Sequence, residues 1–325
     1  MTRAVIADRL GPIQNYALRA YDPGPLKPTH VRIAVKAAGV SFVDVLTAEG
    51  KYHVQPPVPF IPGSECAGII EAVGTEVRGL SVGQKVVASS FGGIFAEAIN
   101  VPARSVKPMP ECMSFEEASV FSVSFITVWH ALVDRAQLKA GETLLVLGAG
   151  GATGYAAVQL GKHLGARVIA SASGQAKRDL ALAGGADAAV DARSATWRDD
   201  VLAANGGKAV DIVFDPVGGA ATEPAFRSLA WKGRHLIVGF PAGIASLPTN
   251  LPLLKGASLV GVNLRRFGET EPERAAANGE TVFALAAQGI FKSAVAKTLP
   301  LERFAEAMAD AASGKTAGRI VLVTG

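Results

Sequence analysis

The chain has 325 residues, 49% of them hydrophobic and 18% charged. That is enough for about two domains of ordinary size, and too apolar for a disordered chain, which lacks the hydrophobic residues to offset the entropy of ordering. The 32 Lys and Arg against 28 Asp and Glu leave a net charge of +4, spread out, with Arg265-Arg266 the tightest basic pair. A nucleic-acid partner needs its cations gathered on one face or in a run, so none is expected.

Two cysteines, Cys66 and Cys112, are too few for a disulfide framework or a four-thiolate zinc site and point to a reduced, cytoplasmic protein. Residues 1–8 hold no apolar run of signal-peptide length.

In chain order, the first 120 residues read as β-rich. Residues 31–36 alternate as a half-buried strand does, and 67–73 and 84–88 form further short strands. Gly50, Pro56-Pro57, Pro62-Gly63, Gly74, Gly83 and Gly92-Gly93 punctuate them, which predicts a barrel or sandwich. Helical spacing starts at residue 115, over 115–121 and 126–133. Strands at 143–147, 166–170, 188–190, 210–214, 235–238 and 257–261 then follow, with helices at 155–164, 175–183 and 197–204 among them. Apolar strands alternating with helices predict a doubly wound parallel sheet. Two helices, 271–287 and 301–313, and a strand at 319–323 close the chain. The uncharged stretch 143–161 is broken in its middle by glycines, which weaken a helix, so no membrane partner is expected.

The strand at 143–147 runs straight into Gly148-Ala149-Gly150-Gly151-Ala152-Thr153-Gly154, and a helix begins at once. Glycine lets a backbone turn tightly and approach a pyrophosphate without a Cβ in the way, while the helix start offers free N–H groups and partial positive charge. In this strand–turn–helix setting, Gly148, Gly151, Ala152, Thr153 and Gly154 predict a dinucleotide site. An NAD binder places an acid at the end of the next strand. Here that strand leads into Ser171, Ser173, Lys177 and Arg178, with no acid before Asp179. Hydroxyls and cations suit a 2′-phosphate, and the expected cofactor is NADPH.

With these residues in hand, the chain resembles the medium-chain dehydrogenase/reductase superfamily, and within it the zinc-free quinone oxidoreductases, the ζ-crystallin-like group. The resemblance covers essentially the whole chain. Its most specific piece is Gly141-Glu142, Leu145, Ala149-Gly150-Gly151, Gly154, Gln159 and Lys162, with Ala152 where the group usually has glycine. Further matches are Gly39-Val40-Ser41-Phe42-Val43-Asp44, Gly50-Lys51-Tyr52, Pro62-Gly63-Ser64-Glu65 and Asp215-Pro216-Val217-Gly218. The resemblance implies an α/β protein: a GroES-like β-barrel domain from residues 1–122 and 264–325, and a Rossmann domain from 123–263. It also implies a homodimer, or a tetramer.

Zinc-dependent members of the superfamily have cysteine where Ser41 stands and histidine where Ser64 stands. Serine hydroxyls are poor zinc ligands beside thiolate and imidazole, so no metal is expected. Without a Lewis acid an isolated carbonyl is hard to reduce. A conjugated acceptor spreads the developing charge and needs only modest donors. Chemistry and resemblance together point to a quinone or an α,β-unsaturated carbonyl as the small-molecule substrate.

By the same resemblance Tyr52 orients or protonates the substrate, Ser41 takes a position where the group commonly has asparagine, and Asp44 matches an aspartate with either a structural or a site role. Thr127 matches the threonine near the nicotinamide, and Val217, Phe240 and Asn263 fall on segments that line the cofactor cleft. The expected reaction is direct hydride transfer from NADPH to an electron-poor carbon, driven by alignment of the two reactants. The alternatives are an enoyl-thioester reductase of the same superfamily and a non-catalytic NADPH-binding protein.

Overall fold

The computed structural model describes residues 2–325, whose contacts gather into two units, Met1–Val123 with Lys292–Gly325, and Ser124–Phe291. In the first, β1 (Thr2–Ile6) pairs antiparallel with β2 (Ala17–Tyr21). A larger sheet is built on β3 (His30–Val40), whose alternation turns Val31, Ile33 and Val35 into the core. The helix α1 (Phe42–Ala48) follows it directly. Four strands extend this sheet: β4 (Glu65–Val73), β5 (Lys85–Ser89), β6 (Ala98–Pro102) and β7 (Val106–Pro108). Both β4 and β6 pair with β3, β5 with β4 and β7 with β5, all antiparallel. The short α2 (Phe115–Ala118) stops after one turn. The chain then crosses to the second unit within α3 (Ser122–Trp129), which runs on as a π-helical stretch over His130–Arg135.

The second unit holds six parallel strands: β8 (Thr143–Leu147), β9 (Arg167–Ala172), β10 (Ala188–Asp191), β11 (Val210–Asp215), β12 (Leu229–Ile237) and β13 (Ser258–Gly261). Their order is β10-β9-β8-β11-β12-β13. The crossovers carry α4 (Ala152–His163), α5 (Gln175–Ala183), α6 (Trp197–Ala204), α7 (Thr222–Arg227) and α8 (Asn250–Lys255). Every residue of β8 is buried, as the middle strand of a sheet covered on both faces must be, which is why it reads as an unbroken apolar run. The order reverses direction between β8 and β11. A crevice opens at the carboxyl ends of the strands at such a point.

Two further helices, α9 (Leu264–Thr270) and α10 (Pro272–Ala287), belong to this second unit. The sequence boundary at residue 264 is therefore too early, and the chain returns to the first unit at Lys292. Side chains far apart in sequence hold the helices there. Asp134, almost fully buried, accepts from His130 at 2.8 Å, Arg274 at 2.7 Å and Asn278 at 2.7 Å. Phe267 stacks on His130 and Phe291 on Phe125.

The chain then adds β14 (Val295–Pro300), α11 (Phe304–Ser313) and β15 (Arg319–Val323), with β15 antiparallel to β3 and β14 parallel to β15. The edge strand β14 was not expected from its sequence. Four of its six residues are neither Val nor Leu, and only Leu299 is buried. Among the described residues no helix is long and apolar enough to cross a membrane.

Candidate functional site

The glycine turn leaves the carboxyl end of β8. Gly148 has φ +58°, a conformation that glycine takes without penalty. The Gly151 N–H closes the turn onto the Gly148 carbonyl at 2.9 Å, and the Ala149 N–H ties it to the Ser171 carbonyl on β9 at 3.1 Å. A Cβ on Gly154 would press into the Gly148 carbonyl oxygen, so only glycine lets α4 start this close to the strand. No side chain caps α4, and its first turn holds no acid. The leading amides, on Ala152, Thr153 and Gly154, thus keep the positive end of the helix for an anion. Ala152 is already helical, a conformation open to any residue, so alanine in place of glycine leaves the turn intact.

The rim of β9 lies beside this turn. A Cβ on Gly150 would stand 2.5 Å from the Lys177 Cβ, so the base of the Lys177 side chain lies against the turn. Partial burial pulls its ammonium below the usual lysine value. Ser173 is exposed just past the end of β9. Two other expected ligands have different employment. The Ser171 hydroxyl is buried and accepts the Trp197 indole N–H at 2.8 Å. Arg178 pairs with Asp191 at 2.9 Å and also donates to the Ala172 carbonyl and the Gln175 side chain. Ser171 and Arg178 therefore hold the fold together, while Ser173 lies exposed and Lys177 partly exposed just past the end of β9. Their partners Trp197 and Asp191 sit on other elements, so nothing in the local sequence signalled them.

Across the switch point, β11 ends in Asp215, which is 1% exposed. It accepts from the Val217 N–H at 2.9 Å, the Gly218 N–H at 2.8 Å, Thr222 Oγ1 at 2.8 Å and His235 Nε2 at 3.0 Å. Burial would push its carboxyl up, but the hydrogen bonds, that from His235 foremost, outweigh it and hold the group below the usual carboxylate range. The turn after β11 is fixed by these bonds. Val217 lies against Gly148, and Phe240 against Gly218, so Gly148, Val217 and Phe240 meet on the carboxyl edge of the sheet. Thr127 sits partly exposed on α3. Asn263 is occupied as the cap of α9, its Oδ1 accepting the Arg266 N–H at 2.9 Å.

In the first unit Ser41 caps α1 in a reciprocal box with Asp44. Ser41 Oγ and N–H donate to Asp44 Oδ2 at 2.6 and 2.8 Å, and the Asp44 N–H returns a bond to Ser41 Oγ at 3.1 Å. Burial raises the Asp44 carboxyl above its usual value, although bonds from Ser41 and Ser64 oppose the shift. Glu65 is buried beside them, paired with Arg319 at 3.1 Å and accepting the Val123 N–H at 3.1 Å; burial raises it too. Tyr52 leaves the end of α1 with its N–H on the Leu46 carbonyl. Its ring packs on His53 and Phe91, with centroids 4.2 and 6.0 Å away. These two companions lie in turn-rich segments with no periodicity to single them out.

Residues 27–111 match the alcohol dehydrogenase GroES-like domain model, and 152–278 match the zinc-binding dehydrogenase model. Quinone oxidoreductase-like protein 2 of Mus musculus is 33% identical over 311 residues, covering 95% of this chain and 89% of the relative. This chain belongs to the medium-chain dehydrogenase/reductase superfamily, with the quinone oxidoreductase-like proteins. Among solved structures, the mycobacterial protein Rv1454c complexed with NADPH superposes with a TM-score of 0.90 at 27% identity, covering 99% of each chain. The CurK enoyl reductase superposes with a TM-score of 0.90 at 25% identity, covering 100% of this chain and 99% of the other. The superfamily's fold is that of an oxidoreductase and binds NAD(P), and the uncapped start of α4 pressed against Gly148 fits such a dinucleotide.

The zinc of metal-dependent superfamily members finds a different reception. Ser41 and Ser64 present hydroxyls already bonded to Asp44, in place of the thiolates and imidazoles that zinc selects. Among the described residues no three His, Cys, Asp or Glu side chains are gathered as a metal would need. These residues do not fit a catalytic zinc ion.

Asp215 supplies a test of the cleft's scaffold. Its folded pKa is lowered, so it adds stability above the ordinary carboxylate pKa of about 4. That increment disappears as the pH falls through the folded value. In urea unfolding, Asp215→Asn should be clearly less stable than wild type at neutral pH, with the gap narrowing as the pH drops below about 4. A gap that stays constant into that range would contradict the bonding described.

Proposed function

We propose that this protein is an NADPH-dependent oxidoreductase that reduces a quinone or α,β-unsaturated carbonyl without a metal. The observation that carries the reading is Lys177, a partly buried cation seated against the glycine turn beside the exposed Ser173, where an NAD binder would place an acid. The bound nicotinamide supplies the hydride. The α4 amides hold the pyrophosphate, Ser173 and Lys177 take the 2′-phosphate, and Thr127, Val217 and Phe240 bound the ring.

Tyr52 donates its phenolic hydrogen bond to the acceptor oxygen as negative charge grows there. Ser41 and Asp44 act through position: their capping box fixes the start of α1, and α1 hands the chain to Tyr52 through the Leu46 carbonyl. With hydroxyls where zinc ligands would stand, an acceptor whose charge delocalises is the one these donors suit. The likeness to the CurK enoyl reductase favours a second reading, an enoyl thioester as acceptor, in which the same residues serve.

For partners we infer a second copy of the chain. The strand β13 is an open edge of the sheet, and Leu259 on it is exposed, as are Trp231, Leu253 and Leu254 nearby. Arg135 Nε holds the Gly261 carbonyl at the end of this edge, but the apolar residues along the rest of it invite pairing, and a two-fold axis would pair β13 with itself.

Kinetics with both cofactors test the reading. Lys177→Ala should raise KM for NADPH about ten- to a hundredfold, the worth of one charged hydrogen bond, and leave NADH nearly unchanged; equal losses would remove the assignment. In the same assay Tyr52→Phe should lower kcat without weakening NADPH. Turnover of a quinone, a simple enone and a crotonyl thioester in EDTA identifies the acceptor, and activity abolished by chelation would overturn the metal-free reading. Sedimentation should show a dimer that Leu259→Lys dissociates; a wild-type monomer would refute the pairing.

A further inference from the structure

We propose that Arg193 is the second cation of the 2′-phosphate site, the part that local sequence assigned to Arg178. The inference rests on the NADPH reading above. It starts from the strand register. Asp191 on β10 lies opposite Ala172 on β9, and the Ala192 N–H bonds the Ala172 carbonyl at 3.2 Å. One residue further out, Ala192 after β10 lies level with Ser173 after β9, and the exposed Arg193 follows in the turn. On the other side of Ser173, toward β8, Lys177 lies on Gly150. Cations thus follow both strand ends, Lys177 after β9 and Arg193 after β10.

Asp191 decides which arginine is available. Its Oδ2 holds the Arg178 guanidinium at 2.9 Å, while its Oδ1 accepts the Arg193 backbone N–H at 3.0 Å and the Arg193 Nε at 3.4 Å. Arg178 is 16% exposed and its terminal nitrogens already have three acceptors: Asp191, the Ala172 carbonyl and Gln175. Arg193 is 68% exposed and is held by its Nε alone, so among the described residues its two terminal nitrogens have no acceptor. A guanidinium anchored at its base with the fork turned outward is suited to bidentate capture of phosphate. Asp191 does not serve as the acid of an NAD site. It stands at the end of β10, not β9, and both its oxygens are engaged. With Arg178 and Arg193 both on that single carboxylate, the rim keeps a surplus of positive charge.

Titration calorimetry on the full-length protein with 2′,5′-ADP and 5′-AMP, which differ only in the 2′-phosphate, tests this without turnover. Wild type should bind 2′,5′-ADP at least about tenfold more tightly than 5′-AMP. Arg193→Ala and Arg193→Gln should each weaken 2′,5′-ADP about tenfold and leave 5′-AMP unchanged, while Arg193→Lys keeps part of the preference. If wild type prefers 2′,5′-ADP and both neutral variants keep that preference in full, or weaken the two ligands equally, Arg193 is not the phosphate ligand. If wild type itself fails to discriminate, the NADPH reading falls first and this inference with it.

Discussion

The contact on which the nucleotide half of the molecule depends is the seating of α4 against the end of β8. Gly154 lies so close to the Gly148 carbonyl that no side chain fits between them. That closeness brings the helix start to the strand end with its first amides uncapped, and concentrates the helix dipole where the sheet order reverses. Lys177, resting on Gly150, adds a cation beside that helix start. Each of these features follows from omitting a Cβ at a position where the backbone needs the room.

Around that turn the protein uses buried polar groups as fasteners. Asp215 gathers four donors and fixes the loop after β11, bringing Val217 to Gly148. Asp134 gathers three and fastens α10 into the second unit. Asp44 and Glu65 do similar work at the start of α1 and in the first sheet. A buried carboxylate is tolerated only when it is well paired, and each of these has its donors. The serine hydroxyls at 41 and 64 extend this bonding to Asp44.

Much of this was legible in the sequence, and the reason is burial. Parallel strands covered on both faces are apolar nearly throughout, so β8 could be read from composition alone, and α5, α6 and β15 fall on the expected residues. The glycine turn was legible because only glycine satisfies its geometry. What escaped is fixed by side chains meeting across long stretches of chain. Asp134 with Arg274 and Asn278 moves the unit boundary to residue 292. Trp197 takes the Ser171 hydroxyl, and Asp191 takes the Arg178 guanidinium. Local spacing shows that a serine or an arginine is present, but not whether another residue already occupies it.

Hydrogen exchange at the amides of residues 152–154, followed with and without NADPH, tests most directly whether the start of α4 is the phosphate seat. Those amides are uncapped by any side chain, so they should exchange freely in the unliganded protein and slow markedly once phosphate oxygens accept them. Exchange that stays unchanged there, while protection appears elsewhere in the second unit, would show that the dinucleotide lies away from the glycine turn.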